Sequence, residues 1–413
     1  MKKLKIDVNE RPPLTLWALL SIQHVFGMFS ATVLVPIIVG LPVSVALFAS
    51  GVGTIIYSIL TKFKVPVYLG SSFAFITAML MTNAAMGGAI SATQTGLIMV
   101  GIVYVLVGLL VKVVGKDWIG KLLPPVVIGP MIAVIGLGLA NWAVTQSGLI
   151  EGGNPDEVLV ALITLLITVY FMIKGKGFAR MIPFLGGIIG GYLVAAIFGL
   201  VDITPIADAS LFKLPEFTIW GLDYAPYFGP EAWAIVPIVI VTIAEHIGDH
   251  TVLGKICEKP FLQDPGLDRT LMGDGIATAV SAFLGGPANT TYGENTGIIG
   301  ATKVGSVYVT VGAAAIAVLL SFSGVVSAAI STIPAPVLGG ISLLLYGVIA
   351  SNGLRVLIDA KVDFTKNRNL IIASVMLVLG LGGAVFQLFG MAALSGVALA
   401  GISGVFLNWL LPE

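Results

Sequence analysis

A single cysteine, Cys257, stands in 413 residues, which excludes an intrachain disulfide and any multi-cysteine metal site. Charge is almost as scarce. Asp, Glu, Lys and Arg together make up 10% of the chain, against about 25% in soluble domains. No HExxH or GxSxG pattern occurs, so the usual signatures of a metallohydrolase or serine hydrolase are missing. The basic residues are dispersed, leaving no patch for nucleic acid, and nothing calls for a cofactor. Long stretches such as 158–173 and 314–320 lack the polar alternation of a barrel strand.

Hydrocarbon is abundant instead. Apolar residues reach 57%, more than a water-soluble fold can hide, so the chain reads as an all-α polytopic membrane protein. Charged or Pro/Gly-rich breaks delimit fourteen spans near 14–40, 43–60, 67–84, 93–114, 121–146, 157–173, 181–201, 229–254, 267–284, 292–302, 304–330, 334–351, 369–388 and 391–411. Fourteen spans leave no length for a soluble catalytic domain, so an enzyme is not expected. With the amino terminus inside, 20 of the 21 basic residues fall on inner connections, and only Lys213 lies outside, as the positive-inside rule requires. The segment 1–13 then reads as an uncleaved cytoplasmic tail, and both termini are cytoplasmic.

Two sets of seven spans have opposite orientation, the arrangement of an inverted repeat. At an offset of 222 residues Gln23-His24 falls on Glu245-His246, and Gly51 and Gly53 fall on Gly273 and Gly275. At 211, Pro125-Val126, Gly129, Gly136 and Asn141 fall on Pro336-Val337, Gly340, Gly347 and Asn352. Spans 3 and 10 occupy corresponding places, and both carry chain breakers before a short apolar helix: Gly70-Ser71-Ser72-Phe73 in one, Gly285-Gly286-Pro287 through Gly297 in the other. Backbone that leaves the helix at that depth has to line a protein-enclosed cavity, because an unpaired amide in lipid costs several kcal/mol.

Ionisable residues gather on the same elements: His24 in span 1, Glu245, His246, Asp249 and His250 in span 8, Asp274 in span 9 and Glu294 in span 10. A carboxylate at the bilayer centre costs about 2.5–3.5 kcal/mol on insertion scales. No Lys or Arg lies deep in a span to pair with these acids. Glu245 and Asp249 are four apart on one helix face, and two carboxylates that close are not both ionised in a low dielectric. A proton therefore has to reside among them. His24 and His246 read as inter-helix hydrogen-bond partners, Asp274 as a capping, gating or coupling group, and Asn289, Thr290 and Thr291 as groups that can satisfy backbone. Phe73 and Tyr292 suit either packing or ligand stacking. A channel or anion carrier would favour cationic residues at its ion site, whereas this one is acidic.

At these residues the chain resembles the nucleobase–cation symporter-2 family, the nucleobase–ascorbate transporters, and within it the bacterial uracil-permease branch. The likeness rests on Gln23-His24 with Phe26–Pro36, on Ala244-Glu245-His246-Ile247-Gly248, on Gly273-Asp274-Gly275, and on Thr290–Gly297. It implies a 7+7 inverted repeat with short strands in spans 3 and 10, homodimers, and proton-driven uptake by an elevator-like movement. It also implies a core domain from segments 1–115 and 229–332 and a gate domain from 116–228 and 333–413. By position, Glu245 and Glu294 would bind the base, Phe73 and Gly293 would offer backbone contacts, Tyr292 would pack on the ring, and Ala31, Ser342 and Tyr346 would complete the pocket. Proton coupling would fall to Glu245, Asp249, His24 and Asp274. Asp249 stands where some uracil carriers have His and purine carriers an acid. Glu294-Asn295, in place of the Gln-Asn of purine carriers, favours a pyrimidine over xanthine, and the resemblance implies uracil and H+ as the transported pair. A xanthine carrier and sodium coupling are the alternatives. Membrane lipid is the only other partner implied.

Overall fold

A computed structural model describes residues 4–176, 179, 182–387 and 394–412. Helix α1 (Leu14–Val39) ends where Gly40 turns left-handed at φ 74°, and α2 (Val43–Leu60) starts after Pro42, the expected division of labour between glycine at a helix end and proline at a start. Strand β1 (Leu69–Ser71) leads through a 3-10 turn into α3 (Ile76–Ala85), and α4 (Ser91–Val114) follows. The short α5 (Asp117–Leu122) precedes α6 (Pro125–Gly138), α7 (Ala140–Gln146), α8 (Pro155–Lys174) and α9 (Pro183–Ile197). After a connection holding α10 (Thr204–Ala207) come α11 (Pro230–Trp233), α12 (Val239–Cys257) and α13 (Leu267–Phe283). Strand β2 (Asn289–Thr291) leads into α14 (Gly293–Thr302), followed by α15 (Val307–Ser321), α16 (Gly324–Ser331), α17 (Ala335–Asp359) and α18 (Asn367–Leu381). A small hairpin, β3 (Val385–Phe386) with β4 (Leu394–Ser395), precedes α19 (Gly396–Leu410).

Seven helical stretches are long and apolar enough to cross a membrane: α1, α2, α4, Pro125–Gln146, α8, Pro230–Cys257 and α17. Phe73–Ala85, α9, α18 and α19 are shorter apolar helices, and α13, α14 and α15 complete fourteen crossings among the described residues. The expected span 304–330 is in fact broken. Its crossing ends at Ser321, and α16 leaves at 84° to α15, because Ser323 caps a new helix by accepting from the Val326 amide at 3.3 Å. The expected span 369–388 stops at Leu381, where Gly382 and Gly383 follow and Gly383 takes φ 72°. Positions 388 and 391–393 of the last two expected spans lie outside the described residues.

The packing repeats under exchange of the first seven crossings for the last seven. Helix α13 packs on α4 as α15 packs on α2; α8 packs on α9 as α18 packs on α19; α17 meets α8 and α9 as α6 meets α18 and α19. Strands β1 and β2, helices α2 and α13, and helices α6 and α17 pair across the repeat. Small residues permit the closest of these approaches. A Cβ on Gly101 would sit 2.5 Å from the Gly275 carbonyl oxygen on α13, and one on Gly51 would sit 2.5 Å from the Ala314 carbonyl oxygen on α15.

Candidate functional site

The interrupted crossings meet at mid-fold. β1 and β2 pair antiparallel, with Leu69 opposite Thr291, Gly70 opposite Thr290 and Ser71 opposite Asn289. The ladder continues as the Ser72 amide donates to the Ala288 carbonyl at 2.9 Å and the Tyr292 amide to the Tyr68 carbonyl at 3.1 Å. Immediately beyond it, Phe73 and Gly293 open two half-helices. The first amides of a helix have no intrahelical acceptor, and the dipole adds partial positive charge there, so the fold offers two groups of donors at its centre. The strands satisfy the backbone that a continuous helix would have satisfied. Asn289 does the same with its side chain, donating to the carbonyls of Ala49 and Ala277 at 3.2 and 3.3 Å.

Around these termini stand the acids. Glu294, in the first turn of α14, lines a cavity of about 660 Å³ with Phe26, Ser30, Pro183, Gly297 and Ala301. Glu245 and Asp249 lie one turn apart on α12, both half-buried. Asp249, Asp274 and Glu294 are all within electrostatic reach of Glu245. Neither Glu245 nor Glu294 makes a hydrogen bond or ion pair to another side chain among the described residues. Asp249 is held, with its Oδ2 accepting from the Thr291 hydroxyl at 2.5 Å. A Cβ on Gly293 would come within 3.9 Å of Asp249 Oδ1, while Cβ atoms on Gly248 and Gly297 would meet nothing within 4 Å. The backbone at Gly248 and Gly297 is therefore uncovered among the described residues.

Opposite, the Phe73 ring meets Tyr346 edge-on at 6.0 Å, and Tyr346 leans on Trp142 at 6.4 Å. Ser342 lies one turn before Tyr346 on α17, and neither hydroxyl makes a well-formed hydrogen bond among the described residues. Ala31 is buried in a cluster with Met28, Val33, Tyr68 and Tyr292. Tyr292 turns its ring against Gly70, where a Cβ would lie 2.4 Å away. Its hydroxyl donates to the Ser71 carbonyl at 3.1 Å and accepts from Thr32 at 3.0 Å, so it welds the two half-helices to α1.

The remaining polar residues form two buried sets. His24 Nδ1 accepts from the Asn295 side-chain amide at 3.0 Å, and that amide also donates to the His24 carbonyl at 3.1 Å. On the far side of α12, His246 Nδ1 lies 2.8 Å from Asp274 Oδ2, both side chains fully buried. Its ring stacks on His250 at 4.0 Å. His250 Nδ1 lies 2.7 Å from the His246 carbonyl, so it carries the hydrogen, and Nε2 accepts from the Tyr57 hydroxyl at 2.5 Å. His24 and His246 are thus inter-helix partners, as expected, and Asp274 joins His246 instead of capping its own helix. Tyr57, the Asn295 amide and the Thr291–Asp249 bond escaped the sequence reading. The available signal was a tyrosine within an apolar span, since a phenol in hydrocarbon needs a partner.

Two half-helices opening from one strand pair, with buried acids and a cavity beside them in a polytopic helical fold, define a membrane transport protein. The comparisons agree. The permease-family model Xan_ur_permease matches residues 16–389. The chain is 48% identical to the uracil permease of Bacillus caldolyticus over 100% of this chain and 96% of that one. It is 47% identical to that of Bacillus subtilis with the same coverage, and 44% identical to that of Escherichia coli K12 over 99% of this chain and 94% of that one. Among solved structures, the transmembrane domain of the cyanobacterial bicarbonate transporter BicA superposes with a TM-score of 0.66 at 15% identity, covering 94% of this chain and 97% of that one. SLC26A9 gives 0.70 at 12% identity, covering 96% and 65%. The chain belongs to this permease family, the nucleobase–cation symporter-2 family that its motifs resemble.

Proposed function

We propose that the protein imports uracil across the cytoplasmic membrane together with protons. The observation that carries this reading is the proximity of Glu245 and Glu294, neither with a side-chain partner among the described residues, where α12 packs on β2 and α14. Uracil is planar and neutral, with two N–H donors and two carbonyl acceptors. Glu245 and Glu294 accept the donors, and the amides of Phe73 and Gly293 serve the carbonyls. Tyr292 fixes the frame, while Ala31, Ser342 and Tyr346 shape the pocket wall. Such a site rejects a ligand that leaves its buried polar groups unpaired. Relatives named uracil permease, similar over their full length, support the same substrate.

Coupling follows from the charge balance. Glu245, Asp249, Asp274 and Glu294 act on one another with no Lys or Arg paired to them among the described residues, and like charges at that range in a low dielectric exclude full ionisation. A proton taken up with uracil and lost after release links the two fluxes, with His24 and Asp274 holding the surrounding network. Movement would be of elevator type: segments 1–115 and 229–332 form the core that carries the site, and 116–228 and 333–413 form the gate, a division supported by the helix contacts. The positive-inside distribution sets both termini in the cytoplasm, and the family resemblance implies a homodimer.

Binding of labelled uracil to the purified protein tests the site. Glu294→Gln replaces one carboxylate oxygen with an amide donor and removes the charge that strengthens the bond, about 1.5–3 kcal/mol, and is expected to weaken binding about 10- to 150-fold. Xanthine should not compete. Unchanged affinity in Glu294→Ala would refute the site.

A further inference from the structure

The segment Leu4–Glu10 lies across the ends of the two helices that carry Glu245 and Glu294. Its backbone runs beside the turn after α14. The Lys5 amide donates to the Lys303 carbonyl at 2.7 Å, the Gly305 amide to the Ile6 carbonyl at 2.9 Å, and the Val307 amide to the Val8 carbonyl at 3.0 Å. Ser306 adds a side-chain bond to the Glu10 carbonyl at 2.6 Å. The α12 end is gripped as well: Lys259 reaches Asp7 at 3.3 Å, and Val8, 3% exposed, packs in one cluster with Cys257, Phe261, Ile299 and Val307. Arg11 then lies over the Tyr308 ring at 4.3 Å.

Both helix ends need such support. Helix α12 terminates at Glu258 with φ 54° and α14 at Lys303 with φ 62°, and a non-glycine residue in the left-handed region persists only where its surroundings hold it. Helix α14 has only ten residues, too short to be stable by itself. Its start is fixed by the strand pair and its end by this segment.

We propose that Leu4–Glu10 is a clasp that positions the site, fixing the spacing of α12 and α14 and hence of Glu245 and Glu294. Its consequence for uracil affinity rests on the function proposed above; its effect on helix spacing does not. Val8 and Asp7 are its positioning residues, acting through helices whose other ends bear the acids.

Cys257, 3% exposed and the sole cysteine, reports on the clasp. Maleimide should leave it unmodified in the purified native protein and in Val8→Ile. In Val8→Asp it should label at least tenfold faster. In Asp7→Lys, which breaks the ion pair with Lys259 and the bond from the Val8 amide to Asp7 Oδ1 at 2.8 Å, it should label several-fold faster. Spin labels at Gly248→Cys and Gly297→Cys in a Cys257→Ser background should show a single narrow distance that broadens with Val8→Asp or Asp7→Lys. Uracil KM should rise about tenfold in Val8→Asp with little change in maximal rate, and Val8→Ile should behave as wild type. Labelling that does not change in Asp7→Lys, or faster labelling with an unbroadened distance, overturns the clasp. Intact labelling and distance contrasts in a protein that takes up no uracil would uphold the clasp and fault the substrate instead.

Discussion

Asp249 shows how much of the site depends on one neighbour. Its carboxylate is anchored by Thr291 at 2.5 Å, a bond between α12 and β2 that fixes an acid beside the strand pair. Thr291→Val should lower uptake about tenfold or more, since hydrogen bonds to charged groups contribute about 1.5–3 kcal/mol, and Thr291→Ser should restore it; parity of the Val variant with wild type would show the bond to be idle. The acids themselves were legible from the sequence, because ionisable residues in hydrocarbon are too costly to be incidental. Their partners were not. Tyr57 is 193 positions from His250, and Asn295 is 271 from His24, so these pairs depend on how helices rotate against each other, which spacing along one helix does not encode.

At the scale of the element, the interrupted crossings were readable because Gly70-Ser71-Ser72 and Gly285-Gly286-Pro287 leave no doubt that helix fails there. Their closeness to one another is enforced by size. Gly70 accepts the Tyr292 ring where a Cβ would lie 2.4 Å from it, so Gly70→Ala should displace Tyr292 from Ser71 and Thr32. Overpacking of this kind costs about 1–3 kcal/mol, to be read as a lower melting temperature in detergent along with lost uracil binding; an unshifted melting curve would contradict that packing. Gly51→Val and Gly101→Val should destabilise alike, since each meets a carbonyl oxygen at 2.5 Å on a symmetry-related helix pair. The break between α15 and α16 was not readable. Ser323-Gly324 sits between apolar runs, and only the cap at Val326 reveals that the chain has turned by 84°.

For the whole molecule, the sequence offsets and the packing give the same picture by independent routes: helix pairs of one half recur in the other, α4 with α13 as α2 with α15, and the two interrupted crossings meet as one strand pair. Most of that architecture was legible because insertion into a bilayer imposes length, polarity and charge asymmetry on every span. What spacing left open was which faces meet. An acidic, partner-poor cluster at that meeting point is the reason to expect transport of a neutral donor-rich ring with a proton. The direct test is uptake of labelled uracil into proteoliposomes containing the purified protein, with an inside-alkaline pH gradient and no sodium. The account predicts accumulation above equilibrium, abolished by a protonophore and by Glu245→Ala or Glu294→Ala. Equilibration without accumulation, or uptake that survives loss of either glutamate, would contradict it.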